Sequence, residues 1–254
     1  MLEPSWHHPD SFRSIAYHKV EGTPENSNSP GVIFLGGLAS DMGGTKAKYL
    51  EEWAKNSGKS FIRFDYTGHG SSSGEFLDGS IQSWFGDAVS VLDELTCGKQ
   101  ILVGSSMGGW IAFLLAKHKP LRVHSILGIA AAPDFTEDSM WEKFDKKQRS
   151  QIMENGFIYQ ESEYSEEPYK ISKNLIIDSR KCLILREKLE LPFPVRLLQG
   201  TDDCDVPVDL AIKLLKHLDS PDAKLEIVKG ANHSFSSESC LRLISQNIDN
   251  LMKK

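Results

Sequence analysis

The chain contains few cysteines and no long apolar run, and each shortage excludes a class of protein. No stretch approaches the roughly 18 consecutive apolar residues that span a bilayer, so no integral membrane segment is expected. Four cysteines (Cys97, Cys182, Cys204, Cys240) occur in 254 residues, without C-x-x-C spacing and without paired histidines. Neither a zinc site nor a disulfide framework is indicated, which points to a reducing compartment. Lys and Arg form no cluster beyond pairs such as Lys146-Lys147, and the net charge is −6, so nucleic acid is not an expected partner. The first ten residues lack the basic and apolar regions of a secretory signal. They are also acidic and Arg-poor, unlike a transit peptide, which leaves the cytoplasm as the default expectation. No internal repeat or low-complexity tract is present.

What remains is an ordinary globular composition, 40% hydrophobic and 25% charged. The length suits one large α/β domain over 1–254. Residues 14–20 alternate and predict an early antiparallel strand. Strands are then predicted at 32–35, 60–64, 100–103, 123–130, 194–199 and 224–228. Helices are predicted at 45–56 with Gly58 as its stop, 80–95 with Ser80 as N-cap, from Trp110 toward Pro120, 207–218, and 237–252. Alternating α and β elements with continuous apolar strands predict a mostly parallel central sheet with helices on both faces. The rhythm breaks over 134–191, an insertion read as short helices, placed after a strand's C-terminal end where open α/β sheets bind ligands.

The most informative stretch is Gly104-Ser-Ser-Met-Gly108. It joins a short β-branched strand to an apolar helix. A serine between glycines at −2 and +2 on such a turn is a nucleophile elbow. The turn strains the backbone, and glycines remove the Cβ atoms that would clash. Ser106 is thus the candidate nucleophile.

A serine hydroxyl needs a base to take its proton. Of eight histidines, His7 and His8 fall in a start expected to be disordered. His18 lies in a strand-like stretch, His124 begins a strand, and His118 and His217 end helices. His69, between Gly68 and Gly70, reads as a turn residue. His233, in a loop between the last strand and the last helix, is the candidate base. The acid that orients the imidazole comes from Gly200-Thr-Asp-Asp-Cys-Asp-Val-Pro207. Spacing does not separate Asp202 from Asp203, and Asp205 fits a helix-capping role. The oxyanion hole needs two backbone N–H donors. They are assigned to Met107, directly after the nucleophile, and to Leu38 in the Gly36-Gly37-Leu38 loop.

These segments, with Asp65-Tyr-Thr-Gly-His-Gly-Ser-Ser72, clearly resemble the α/β-hydrolase superfamily over roughly residues 14–252. The resemblance implies an α/β-hydrolase fold with a helical lid insertion. It also implies Asp203 as the acid, three residues after Gly200 and three before Val206-Pro207. A closer resemblance is to mitochondrial α/β-hydrolase-domain enzymes that act as palmitoyl-protein thioesterases and acyl-glucuronide esterases. It rests on Gly44-Thr-Lys-Ala47, Ile62-Arg-Phe-Asp-Tyr66, Ile101 to Ser106 with Gly108-Gly-Trp110, Tyr164-Ser-Glu-Glu167 and Val195-Arg-Leu-Leu198. That group implies a mitochondrial setting, from which the N-terminus of this chain departs.

The expected chemistry is two-step acyl transfer through Ser106, Asp203 and His233, with no cofactor and no metal. The substrate is a small-molecule ester or an acylated protein. Trp141, Phe144, Phe157 and Tyr159 form either a lid over an acyl pocket or the insertion's own small core. The rival readings are an acyltransferase, a non-catalytic ligand-binding module, and a peptidase of the prolyl-aminopeptidase type. In the last, Glu163, Glu166 and Glu167 would hold a free amino terminus.

Overall fold

A computed structural model describes residues 3–160 and 169–253. The strands are β1 (Ser5–His7), β2 (Ile15–Val20), β3 (Gly31–Leu35), β4 (Phe61–Phe64), β5 (Gln100–Ser105), β6 (Val123–Ile129), β7 (Phe157–Gln160), β8 (Tyr169–Ser172), β9 (Leu189–Glu190), β10 (Val195–Gly200), β11 (Leu218–Asp219) and β12 (Ala223–Val228). The helices are α1 (Thr45–Ser57), α2 (Ile81–Leu95), α3 (Met107–His118), α4 (Lys146–Asn155), α5 (Lys173–Ser179), α6 (Val208–His217) and α7 (Glu238–Met252).

Eight strands form one sheet in the order β1-β2-β4-β3-β5-β6-β10-β12. From β4 to β12 all neighbours run parallel, and β1 and β2 add an antiparallel edge. Alternate side chains of each inner strand enter opposite layers of the core. Ile33, Leu35 and Leu102 pack with α2 and α3. Val32, Phe34, Ile101 and Val103 pack with α1 and α7. The expected mostly parallel sheet covered on both faces is the observed one.

Local chemistry sets the helix ends. Gly58 closes α1 in the left-handed region at φ 65°. Ser80 and Ser83 form a reciprocal capping box on α2. Pro207 is the N-cap of α6, one residue outside its first helical position. Helix α3 has no polar face: every residue from Met107 to Ala116 is buried. A helix apolar all round belongs inside, and α3 is sandwiched between the sheet and the elements covering it.

Two expectations are corrected. The start is not disordered over Ser5–His7, which pairs antiparallel with β2. His7 is buried there, and its Nε2 meets Ser90 Oγ at 2.7 Å. The insertion is not only short helices. After a π-helical stretch at Thr136–Trp141 and α4, Gly156 ends α4 at φ 84°, and Phe157-Ile-Tyr-Gln160 pairs antiparallel with β8. β-Branched and aromatic residues here override the surrounding charges.

Candidate active site

Ser106 sits between β5 and α3 with φ 55° and ψ −118°, a strained combination for a residue with a side chain. The backbone around it fixes the strain in place. Its N–H donates to Ile129 O at 2.9 Å, and its carbonyl accepts from Ala132 and Gly109. A Cβ at Gly108 would overlap the Leu35 and Gly36 carbonyl oxygens, and one at Gly104 would overlap the Gly108 carbonyl. Glycine is required at both positions because strand, turn and helix pass too close for any side chain.

The three expected side chains meet. Ser106 Oγ lies 3.1 Å from His233 Nε2. On the other side of the ring, His233 Nδ1 donates to both Asp203 oxygens, at 2.9 and 3.0 Å. Asp203 is buried and held from behind. Its Oδ1 accepts the N–H groups of Val206 at 2.8 Å and Asp205 at 3.0 Å, and its Oδ2 accepts from Gln199 Nε2 at 3.0 Å. Burial alone would raise this carboxyl's pKa, but the hydrogen bonds from His233, Val206 and Gln199 outweigh it and hold the pKa below the ordinary value. The carboxylate stays charged and fixes the imidazole with Nε2 turned toward Ser106 Oγ.

The other two acids stand apart. Asp202 is exposed and accepts from its neighbour Thr201. Asp205 is exposed, and the Asp203 side chain accepts the hydrogen bond of its backbone N–H. Asp203, Asp205 and His233 bring possible metal-ligand atoms within 4.8 Å of one another. The Asp203 oxygens, however, already accept five hydrogen bonds, which suits proton transfer better than coordination.

Met107 opens α3, so its N–H has no carbonyl one turn back within the helix. Leu38 follows Gly37, where an added Cβ would lie 3.6 Å from Ser106 Cβ. Among the described residues, neither N–H has a protein acceptor.

The next residue, Ala39, adopts φ 54°, and its N–H donates to His69 Nε2 at 3.2 Å. The structure thus gives His69 more than a turn. It is buried against Tyr66, Phe76 and Trp84, and burial pushes its pKa down to about 4. The ring is neutral at physiological pH and can accept the Ala39 hydrogen bond. The whole 65–72 motif is a clasp of this kind. Asp65 accepts from Met42 N–H at 2.6 Å and Ser71 N–H at 2.8 Å, tying the loop after β3 to the end of β4. Sequence reading missed His69 and Gln199 because both act through contacts distant in the chain or hidden in a strand.

Above the three side chains lies a cavity of about 630 Å³, within the usual range for small-molecule sites. The insertion contributes Phe135, Met140, Phe144 and Ile171 to it. Of the four aromatics expected in a lid, only Phe144 lines this space. Trp141 packs on Phe144 under Arg149 and Arg180. Phe157 and Tyr159 pack on each other beside Lys170. Phe144 fits the lid reading, Trp141 and Phe157 are half-buried within the insertion, and Tyr159, 59% exposed, fits neither. Glu163, Glu166 and Glu167, and with them the Tyr164–Glu167 segment, lie outside the described residues.

A strained serine at a strand-to-helix turn, with histidine and aspartate delivered by later loops of a parallel sheet, defines an α/β-hydrolase site. The model of the Alpha/beta hydrolase family matches residues 32–243, and the chain belongs to that family. It is a hydrolase. It is 34% identical to the mitochondrial palmitoyl-protein thioesterase ABHD10 of Bos taurus over 242 residues, covering 95% of this chain and 77% of that one. A putative hydrolase from Agrobacterium vitis S4 superposes with a TM-score of 0.92 at 37% identity, covering 98% of this chain and 97% of the other. The alpha/beta hydrolase domain-containing protein 10 from mouse gives 0.89 at 31% identity, covering 99% of both.

Proposed function

We propose that the chain is a serine hydrolase of carboxylic esters or acyl thioesters, acting through an acyl-Ser106 intermediate. The observation that carries this is the continuous chain of hydrogen bonds from Asp203 through His233 to Ser106 Oγ, at the floor of the cavity. His233 Nε2 takes the hydroxyl proton as Oγ attacks the carbonyl carbon. The carbonyl oxygen gains negative charge and is met by the Leu38 and Met107 N–H groups. The tetrahedral adduct collapses, the bond to the leaving oxygen or sulfur breaks, and that atom takes the proton from His233. Water repeats the sequence on the acyl-serine, releasing the acid and restoring Ser106. Phe135, Met140, Phe144 and Ile171 give the cavity apolar lining, interspersed with polar side chains of the same insertion, that suits an acyl chain.

The thioesterase name of the relatives supports an acylated protein as one substrate class, and their mitochondrial setting makes that organelle the one to test by fractionation. Among the described residues, no helix is long and apolar enough to cross a membrane. Ser106→Ala tests the assignment. The variant is expected to lose hydrolysis of a p-nitrophenyl ester and labelling by a fluorophosphonate. Labelling at the wild-type level in that variant would place the nucleophile elsewhere.

A further inference from the structure

The two edges of the central sheet are protected unequally. A free strand edge offers unpaired N–H and C=O groups to any other strand, and proteins blunt it by keeping it short or by placing proline in it. β1 is blunted in both ways: it is three residues long and lies between Pro4 and Pro9. β12, at the opposite edge, is six residues long and holds no proline. Among the described residues it pairs only with β10.

The pairing with β10 fixes which groups of β12 face outward. The Val195 and Thr201 N–H groups donate to the Asp222 and Val228 carbonyls, so the even-numbered residues turn their backbone groups toward β10. Successive residues alternate, and Ala223, Leu225 and Ile227 therefore turn theirs to the free edge. The side chains of these three share one face of the sheet. Ala223 and Leu225 are half-buried against the core there, and Ile227 is exposed. Lys224 and Glu226 lie on the other face, both exposed. Asn247 of α7 donates to Glu226 Oε1 at 3.1 Å and steadies that carboxylate.

We propose that β12 is the docking edge for a second copy of this chain, paired antiparallel about a two-fold axis at Leu225. Such a pairing is self-complementary, as a two-fold interface must be. Leu225 meets Leu225 and Ala223 meets Ile227, so the outward N–H and C=O groups of three residues in each copy find partners. The two apolar rows become neighbours and are withdrawn from water. Lys224 of each copy stands opposite Glu226 of the other, in the closely spaced pairs that lack hydrogen bonds and bring side chains nearest. Moving the axis to residue 224 or 226 would set two lysines or two glutamates against each other. Charge thus selects one register. An edge lysine ordinarily keeps other strands away; the glutamate two residues on makes it admit this one.

Sedimentation velocity on the full chain tests the pairing, and a dimer is expected at micromolar concentrations. Lys224→Glu and Glu226→Lys each put like charges opposite one another, twice. Each is expected to raise the dimer dissociation constant at least about tenfold. The double exchange, Lys224→Glu with Glu226→Lys, restores opposite charges and is expected to return the constant to within about threefold of the wild type. A role of either residue in its own subunit alone would give no such recovery. Thermal melts show that each variant is folded. A wild type that stays monomeric up to on the order of 100 μM overturns the proposal, since specific association of this kind is tighter. A dimer indifferent to the single changes overturns it as well, and so does a folded double variant that associates no better than the singles. Amide hydrogen exchange needs no variant. The N–H groups of Leu225 and Ile227 are expected to exchange at least about tenfold more slowly once the wild type is concentrated enough to dimerise. Unchanged exchange at β12 in a dimer would place the interface elsewhere and sink the proposal.

Discussion

His69 and Asp203 carry opposite protonation problems within one site. Asp203 must stay charged while buried, and the hydrogen bonds of His233, Val206 and Gln199 keep it so. Asp203→Asn is expected to lower kcat by several orders of magnitude, because the amide leaves the imidazole in the wrong tautomer. Asp205→Asn, at an exposed carboxylate, is expected to change kcat less than about threefold; steady-state rates on a p-nitrophenyl ester separate the two. His69 must stay neutral while buried. Its folded pKa of about 4 lies below the unfolded value near 6.5, so the unfolded chain binds the extra proton first as pH falls. Stability therefore drops between about pH 6.5 and pH 4, by on the order of 3 kcal/mol from this residue. His69→Gln keeps an acceptor for Ala39 but cannot titrate. Urea melts at pH 7 and pH 4 are expected to show a shallower acid loss in that variant. An acid loss equal to that of the wild type would show that other groups dominate. These two side chains also mark what a sequence discloses. Ser106 and His233 were readable because each sits at a junction of periodic elements. The role of His69 was not, because it depends on Ala39, thirty positions away, and local pattern carries no trace of that contact.

At the scale of elements, the elbow is held by close packing as much as by hydrogen bonds. A methyl group at Gly108 would meet two backbone carbonyls, which cannot rotate aside. Gly108→Ala is expected to destabilise the protein by several kcal/mol. Gly86, inside α2, has open space where its Cβ would stand. Gly86→Ala is expected to stabilise by about 0.5–1 kcal/mol through helix propensity and unfolded-state entropy. Thermal melts of the pair measure both. Periodicity revealed α1, α2, α6 and α7 to within a residue or two, since each has one apolar stripe and a clear cap or stop. It failed in the insertion. There β7 and β8 are four residues each, and charged neighbours mask them. It failed also at β1, where three residues are too few to show a period of two.

Across the whole molecule, the sheet order could not be read from the chain, although its parallel character could. Strand order follows from which apolar surfaces meet, and adjacent strands such as β6 and β10 are separated by the entire insertion. The same arrangement makes the cavity a joint product of distant segments. The Gly36-Gly37-Leu38 loop follows β3, Ser106 follows β5, Asp203 follows β10 and His233 follows β12. Trp110 on α3 joins the insertion to this assembly, donating from its indole N–H to the Cys182 carbonyl at 2.8 Å.

The backbone bonds of Ser106 to Ile129, Ala132 and Gly109 place the proposed nucleophile at the end of a central strand, away from the edges of the sheet. Loosening Ser106 means parting two central strands. Loss of the Ser106 backbone geometry goes with loss of the contacts between the central strands β5 and β6.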